Sequence, residues 1–225
     1  QRFYDGPGHT NDVPTDMTVD RYNNIWICGT SVTKNGDKDI LLLKFSDEGV
    51  PSAGSFFGLS DGLQDGALSV TADRTGCPIV AGYLTGANTG KEFAILRYDI
   101  DGNLVWNRTV STQFDDVANQ LVTDDSCNIY ATGRISASES CSNLIVVKFD
   151  SSGTEGWRHL YDGNRLLCDE GTCVAVDDSF YVYVSGYTNR TAGHSELPVL
   201  KFNRGGQLLM EATYNCDADD CIAQQ

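Results

Sequence analysis

Apolar residues along the chain come in short runs, each closed by a polar turn. The segment from Phe93 to Trp106, FAILRYDIDGNLVW, sets the pattern: an apolar strand, a turn through Asp99-Ile100-Asp101-Gly102, and a second strand ending on Trp106. It recurs three times. ILLLKFSDEG closes on Gly49, LIVVKFDSSG closes on Gly153 and runs on to Trp157, and LPVLKFNRGG closes on Gly206; these glycines stand 53, 51 and 53 residues apart. A long period built only of short strands predicts an all-β chain, a β-propeller of four-stranded antiparallel blades.

The register repeats in detail. Each copy opens on an Asp (Asp12, Asp65, Asp116, Asp169), with a second Asp eight residues on (Asp20, Asp73, Asp124, Asp177), a Gly seventeen on (Gly29, Gly82, Gly133, Gly186) and the turn Gly thirty-seven on. The copies predict blades over 12–58, 65–111, 116–163 and 169–215. Each holds an inner strand, a second strand ending at the Gly, a ten-residue loop and the hairpin. The third strands, such as Ile40–Leu43 and Leu144–Val147, are apolar on both faces, as expected of strands sandwiched between neighbouring sheets. QRFYDG, residues 1–6, matches the outer strand around Tyr161–Gly163, and residues 217–225 match the inner strand opening at Asp169. They read as partial blades, so the expectation is a longer parent chain or a partner that completes them by strand addition.

The joint pattern of an opening Asp, Val-Asp before a turn, Asn-Ile-Tyr-Ala-Thr-Gly and Val-Lys-Phe-Asp-x-x-Gly-x-x-x-Trp resembles the SBBP family of β-propeller repeats. The third copy carries it through Asp124, Asn128, Tyr130, Gly133, Lys148, Asp150, Gly153 and Trp157. The resemblance spans nearly the whole chain. It implies a propeller in a secreted or surface protein, as a module of a larger chain, and supplies no catalytic residues. The sequence departs from that family in its cysteine content, in its four complete copies, and in the first and fourth copies, which lack the Trp at the position of Trp106 and Trp157.

Composition narrows the function classes. Thirty-one acidic residues against 16 basic give a net charge of −15, which repels nucleic acid and anionic membranes. No stretch reaches the ~20 apolar residues of a membrane span and no signal peptide is visible, so the chain reads as a processed product or part of a longer one. Eight cysteines suit a secreted protein with disulfides. Cys168 with Cys173 and Cys216 with Cys221, each Cys-x4-Cys, are the candidate bridges; Cys28, Cys77, Cys127 and Cys141 are not paired by sequence. Asn107-Arg-Thr and Asn189-Arg-Thr are glycosylation sequons, so Asn107 and Asn189 are candidate glycan sites.

A residue present in every blade serves what every blade needs. The Asp rings are therefore expected to accept backbone N–H bonds at turns. The recurring cation, Lys44, Arg97, Lys148 and Lys201, is expected to pair with an Asp of its own blade. Asp99-x-Asp101-Gly102 starts like a calcium loop but has Val110 where Glu is required, and Gly86–Lys91 is one residue short of a phosphate loop. No Gly-x-Ser-x-Gly elbow occurs, and the three histidines fall at unrelated places.

The sequence thus reads as an extracellular structural or adhesive module acting through contacts with other protein domains or subunits at unpaired blade edges. It is expected to have no enzymatic activity and no cofactor beyond weak calcium binding. The alternative is a carbohydrate- or calcium-binding, lectin-like propeller whose ligand sits among the ten-residue loops; a hydrolase or lyase domain ranks third.

Overall fold

The computed structural model describes residues 4–215 apart from 7, 10, 59–62, 139–140, 164–167 and 192–193. Among the described residues sixteen strands form four antiparallel sheets, each with its strands in chain order. The first holds β1 (Asp12–Val19), β2 (Ile25–Val32), β3 (Lys38–Phe45) and β4 (Pro51–Phe57), and the second β5 (Gly66–Ala72), β6 (Pro78–Gly86), β7 (Gly90–Tyr98) and β8 (Leu104–Val110). The third holds β9 (Val117–Thr123), β10 (Ile129–Ser138), β11 (Cys141–Phe149) and β12 (Glu155–Tyr161). The fourth holds β13 (Asp169–Val176), β14 (Val182–Thr191), β15 (His194–Phe202) and β16 (Leu208–Asn215). Among the described residues there is no helix.

The sheets stack face to face as the blades of a β-propeller, with β1, β5, β9 and β13 adjacent in series. Blade follows blade by one rule of packing. Trp26, Cys28, Ile40 and Leu42 of the first meet Val80, Ala94, Leu96 and Tyr98 of the second. The other face of the second blade, Ile79, Ala81, Phe93 and Ile95, meets Ala131, Ile145, Val147 and Phe149 of the third. Tyr130, Leu144 and Val146 then meet Val182, Val184, Leu200 and Phe202 of the fourth. The middle strands are buried on both sides, which is why their sequences lack alternation.

A bulge in each inner strand explains the repeated Gly. Thr15, Leu68, Asn119 and Thr172 are skipped in the ladder to the second strand. The bulge drives the carbonyl of Val13, Gly66, Val117 or Glu170 against Gly29, Gly82, Gly133 or Gly186. A Cβ on these glycines would lie 2.2, 2.0, 2.0 and 1.9 Å from that oxygen, a separation no side chain tolerates.

Two expectations are corrected here. The outer strand expected over residues 1–6 is not formed in its described part: Tyr4–Gly6 is irregular. Tyr4 instead packs on Phe56, with ring centroids 6.3 Å apart. The ten-residue loops are largely hairpin, because their Thr, Val, Ile and Tyr residues prolong the ladders: Val32 pairs with Lys38, Gly86 with Gly90, Ser138 with Cys141 and Thr191 with His194. Residues 217–225 lie outside the described residues.

Candidate functional site

The repeated Asp residues hold turns. Oδ1 of Asp20, Asp73, Asp124 and Asp177 accepts the backbone N–H two residues on, from Tyr22, Thr75, Ser126 and Ser179, and again four residues on. This cages the chain reversal between first and second strands. The opening Asp residues tie the linker to the sheet. Asp12 accepts from Gly6 N and Ser31 Oγ, and Asp65 from Thr85 N at 2.6 Å. Asp116 accepts from Thr112 N and Ser136 N, and Asp169 from Gly163 N and the Thr188 hydroxyl. Burial pushes the carboxyls of Asp116 and Asp169 above their ordinary range, even though these hydrogen bonds pull the other way.

The expected Asp–cation pair within every blade is corrected. It forms in the second blade, where Arg97 lies 2.6 Å from Asp73. In the other three an aromatic residue at the start of the second strand takes the same carboxylate oxygen: Trp26 Nε1 donates to Asp20 at 3.1 Å, and the Tyr130 and Tyr183 hydroxyls to Asp124 and Asp177 at 3.0 Å. The cation then lies over the ring: Lys44 at 5.1 Å from the Trp26 centroid, Lys148 at 5.4 Å from Tyr130, Lys201 at 5.1 Å from Tyr183. Lys44 and Arg97 also reach forward to the turn of the next blade, donating to the carbonyls of Ile100 and Ser151. The cation is a stitch between blades as well as a partner within one.

The expected bridge between Cys168 and Cys173 does not form; the two carry separate thiols. Asp169–Val176 is one extended strand, in which five residues span about 16 Å, whereas disulfide Cα atoms lie about 4.4–6.8 Å apart. Cys216 and Cys221 lie outside the described residues. Cys28 is buried, and its burial pushes the thiol up to about 12. Asn107 lies on β8 and Asn189 on β14, both half-buried, so neither sequon is on a free loop. The Asn189 carboxamide oxygen accepts from Ser195 Oγ at 2.8 Å. Among the described residues no group of three or more His, Cys, Asp or Glu side chains is placed to hold a metal.

Where the repeat breaks, a cleft opens. Between the third and fourth blades, at the end carrying the extended hairpins, Asp115, Arg134, Ser136, Ser138, Cys141, Ser142, Cys168, Glu170 and Tyr187 enclose about 280 Å³. Glu170 organises it. Its Oε1 accepts from Asn119 at 2.6 Å, and its Oε2 from Tyr187 at 2.6 Å and Arg134 at 3.2 Å. Burial, with this hydrogen bond and the Glu170 charge, pushes the Tyr187 phenol far above its ordinary value, so it stays a donor. No sequence pattern singled out Glu170, Arg134 or Tyr187. The available signal was position: Glu170 stands where the other blades have Val13, Gly66 and Val117, and Arg134 where two have Thr30 and Tyr83.

No family model matches the chain, and no curated protein matches it. Among solved structures it is similar to the Pseudomonas aeruginosa periplasmic gluconolactonase PpgL, at 11% identity and a TM-score of 0.44, over 93% of this chain and 72% of that one. The expectation of a chain without enzymatic activity is corrected on this finding. The similar structure is that of an enzyme.

Proposed function

We propose that this chain is a protein-contact propeller module of an extracellular or surface protein, built from repeats of the SBBP type, and that it docks through the open faces of its first and fourth blades. One observation carries the reading. Met17 is 57% exposed, whereas Val70, Leu121 and Val174, at the same place in the other inner strands, are at most 5% exposed under the blade before them. Val13 is likewise 53% exposed where Val117 is 4%. At the far end Tyr183, Leu197 and Val199 are half-buried, while their counterparts Trp26, Ile40 and Leu42 are fully covered by the following blade. The two faces are the two halves of the contact that recurs inside the chain. The occupant of each is a blade of this same repeat, as offered head to tail by a second copy. The acidic surface supports the extracellular setting.

Sedimentation of the chain over a concentration series tests this. Self-association that Met17→Arg and Tyr183→Asp each weaken about tenfold or more is expected. A single 24.5 kDa species at every concentration, unchanged by either substitution, overturns the reading.

A second reading rests on the cleft. Arg134, Ser136, Ser138 and Ser142 line a polar hollow of a size to take one small hydroxylated ligand such as a sugar unit. Calorimetric titration with monosaccharides, with Arg134→Ala as control, tests it: binding lost in the variant supports the cleft, and no heat from any sugar removes it.

A further inference from the structure

The junction between successive blades uses the same positions each time. The start of the third strand of one blade lies against the residues that lead into the next blade. At the first junction Asp65 N donates to Lys38 O at 2.7 Å, and Lys38 bridges Gln64. At the second, Asp116 N donates to Lys91 O at 2.8 Å and Lys91 N to Asp115 Oδ1 at 3.0 Å. At the third, Ser142 takes the place of Lys38 and Lys91, and its hydroxyl donates to Asp169 O at 3.0 Å.

Beside each of these contacts stands a second pair of positions, Asp37 with Gln64, Gly90 with Asp115, and Cys141 with Cys168. The fold points the side chains of such a pair at each other: a Cβ built on Gly90 would lie 2.8 Å from Asp115 Oδ1. At the third junction both positions are cysteine, and their thiols are in hydrogen-bond contact. The Cys168 sulfur also accepts the Ser142 N–H. Its backbone is fixed from the other side, where Asn189 N donates to Cys168 O at 3.2 Å. Both cysteines are half-buried and line the cleft of about 280 Å³, which gives a small reagent access to them.

We infer that Cys141 and Cys168 form a disulfide that clasps the third blade to the fourth when the folded chain meets a disulfide oxidant of the oxidised-glutathione class. Two S–H bonds break and one S–S bond forms. The two electrons and two protons pass to the oxidant, whose own disulfide is reduced to two thiols. The clasp uses a cysteine, Cys141, that spacing along the chain does not associate with Cys168, and it leaves Cys173 as a thiol on β13. It also closes one wall of the cleft covalently.

The experiment is peptide mapping of the folded chain treated with oxidised glutathione, alkylated and digested with trypsin without reduction. Trypsin releases Cys141 in 135–148 and Cys168 together with Cys173 in 166–190. The expected result is a linked pair of these peptides that persists in Cys173→Ser and vanishes in Cys141→Ser and in Cys168→Ser. Thermal melting supplies a second readout. The oxidised protein is expected to melt roughly 5 °C or more above the reduced protein, and Cys141→Ser should show no such difference. Alkylated Cys141 after oxidation, a link that persists in Cys168→Ser but not in Cys173→Ser, or equal melting points for the two forms overturns the clasp.

Discussion

Arg97 meets Asp73 at 2.6 Å because Ile79, at the start of the second strand of that blade, has no hydrogen to donate. In the other blades Trp26, Tyr130 and Tyr183 stand at that position and satisfy the carboxylate themselves. The same turn carboxylate is thus answered in two ways, by an aromatic donor with a cation stacked on it or by an arginine that reaches in directly. The Arg97 side chain is 14% exposed and Asp73 is fully buried, so the pair is largely shielded from water.

Removing the cation should therefore cost more in the second blade than in the third. Arg97→Ala strands a buried carboxylate and is expected to lower stability by about 3 kcal/mol, whereas Lys148→Ala removes a cation over a ring and should cost about 1 kcal/mol. Urea denaturation of both variants measures the difference. Equal losses would mean that the aromatic donor does not replace the ion pair.

The hydroxyl of Tyr98 is buried, and among the described residues it has no hydrogen-bond partner. The other blades place Phe45, Phe149 and Phe202 there. Tyr98→Phe keeps the ring and removes the orphaned hydroxyl, so it should stabilise the chain by about 1 kcal/mol. A rise in the denaturation midpoint checks this, and a fall would show that the hydroxyl has a partner in solution.

Acid should act on Asp124 and Asp169 in opposite senses. At Asp124 burial raises the carboxyl pKa, but hydrogen bonds from Asn128, Tyr130 and Ser126 outweigh it and leave the group below its ordinary 3.8. A depressed carboxyl contributes stability that is present above the unfolded value and lost as pH falls through the folded one. Asp169, raised mainly by burial, contributes in the other sense: its share is complete below the unfolded value and lost as pH rises through the folded one. Below about pH 4, Asp124→Asn should thus flatten the loss of stability on acidification, whereas Asp169→Asn should act above about pH 4, where it removes the stability that falling pH would otherwise add. Denaturation midpoints followed from neutral pH down to about pH 2 read both windows, and identical profiles in the two variants would contradict the assignment.

The blade repeat was legible because its markers are backbone requirements. The turn glycines Gly49, Gly102, Gly153 and Gly206 all have positive φ, and Gly29 and its counterparts face a carbonyl that excludes a side chain. Such constraints act on single residues and show as exact spacing. The apolar third strands were legible for a similar reason, since burial on two faces leaves no polar positions. What depends on a second residue far along the chain was not legible. The partner of the repeated cation hinges on whether Trp26, Ile79, Tyr130 or Tyr183 stands eighteen residues before it. The short Cys168–Cys173 spacing suggested a bridge, but the pairing of Asp169 with Thr188 and of Val176 with Val182 pulls that segment out straight. Glu170 occurs once, so no repeat announced it, and its role follows from Asn119, Arg134 and Tyr187 converging from three different strands.

The open blade faces are tested most directly by the two methionines of the chain. Met17 lies on the uncovered face of β1, and Met210, opposite Lys201 on the outer strand β16 and 42% exposed, stands on the face of the fourth blade that carries Tyr183. Mild peroxide oxidation, read by mass spectrometry at increasing protein concentration, reads both halves of the proposed contact within one molecule. The account predicts that Met17 and Met210 both become protected as concentration rises. Both oxidising at the same rate at every concentration would contradict it.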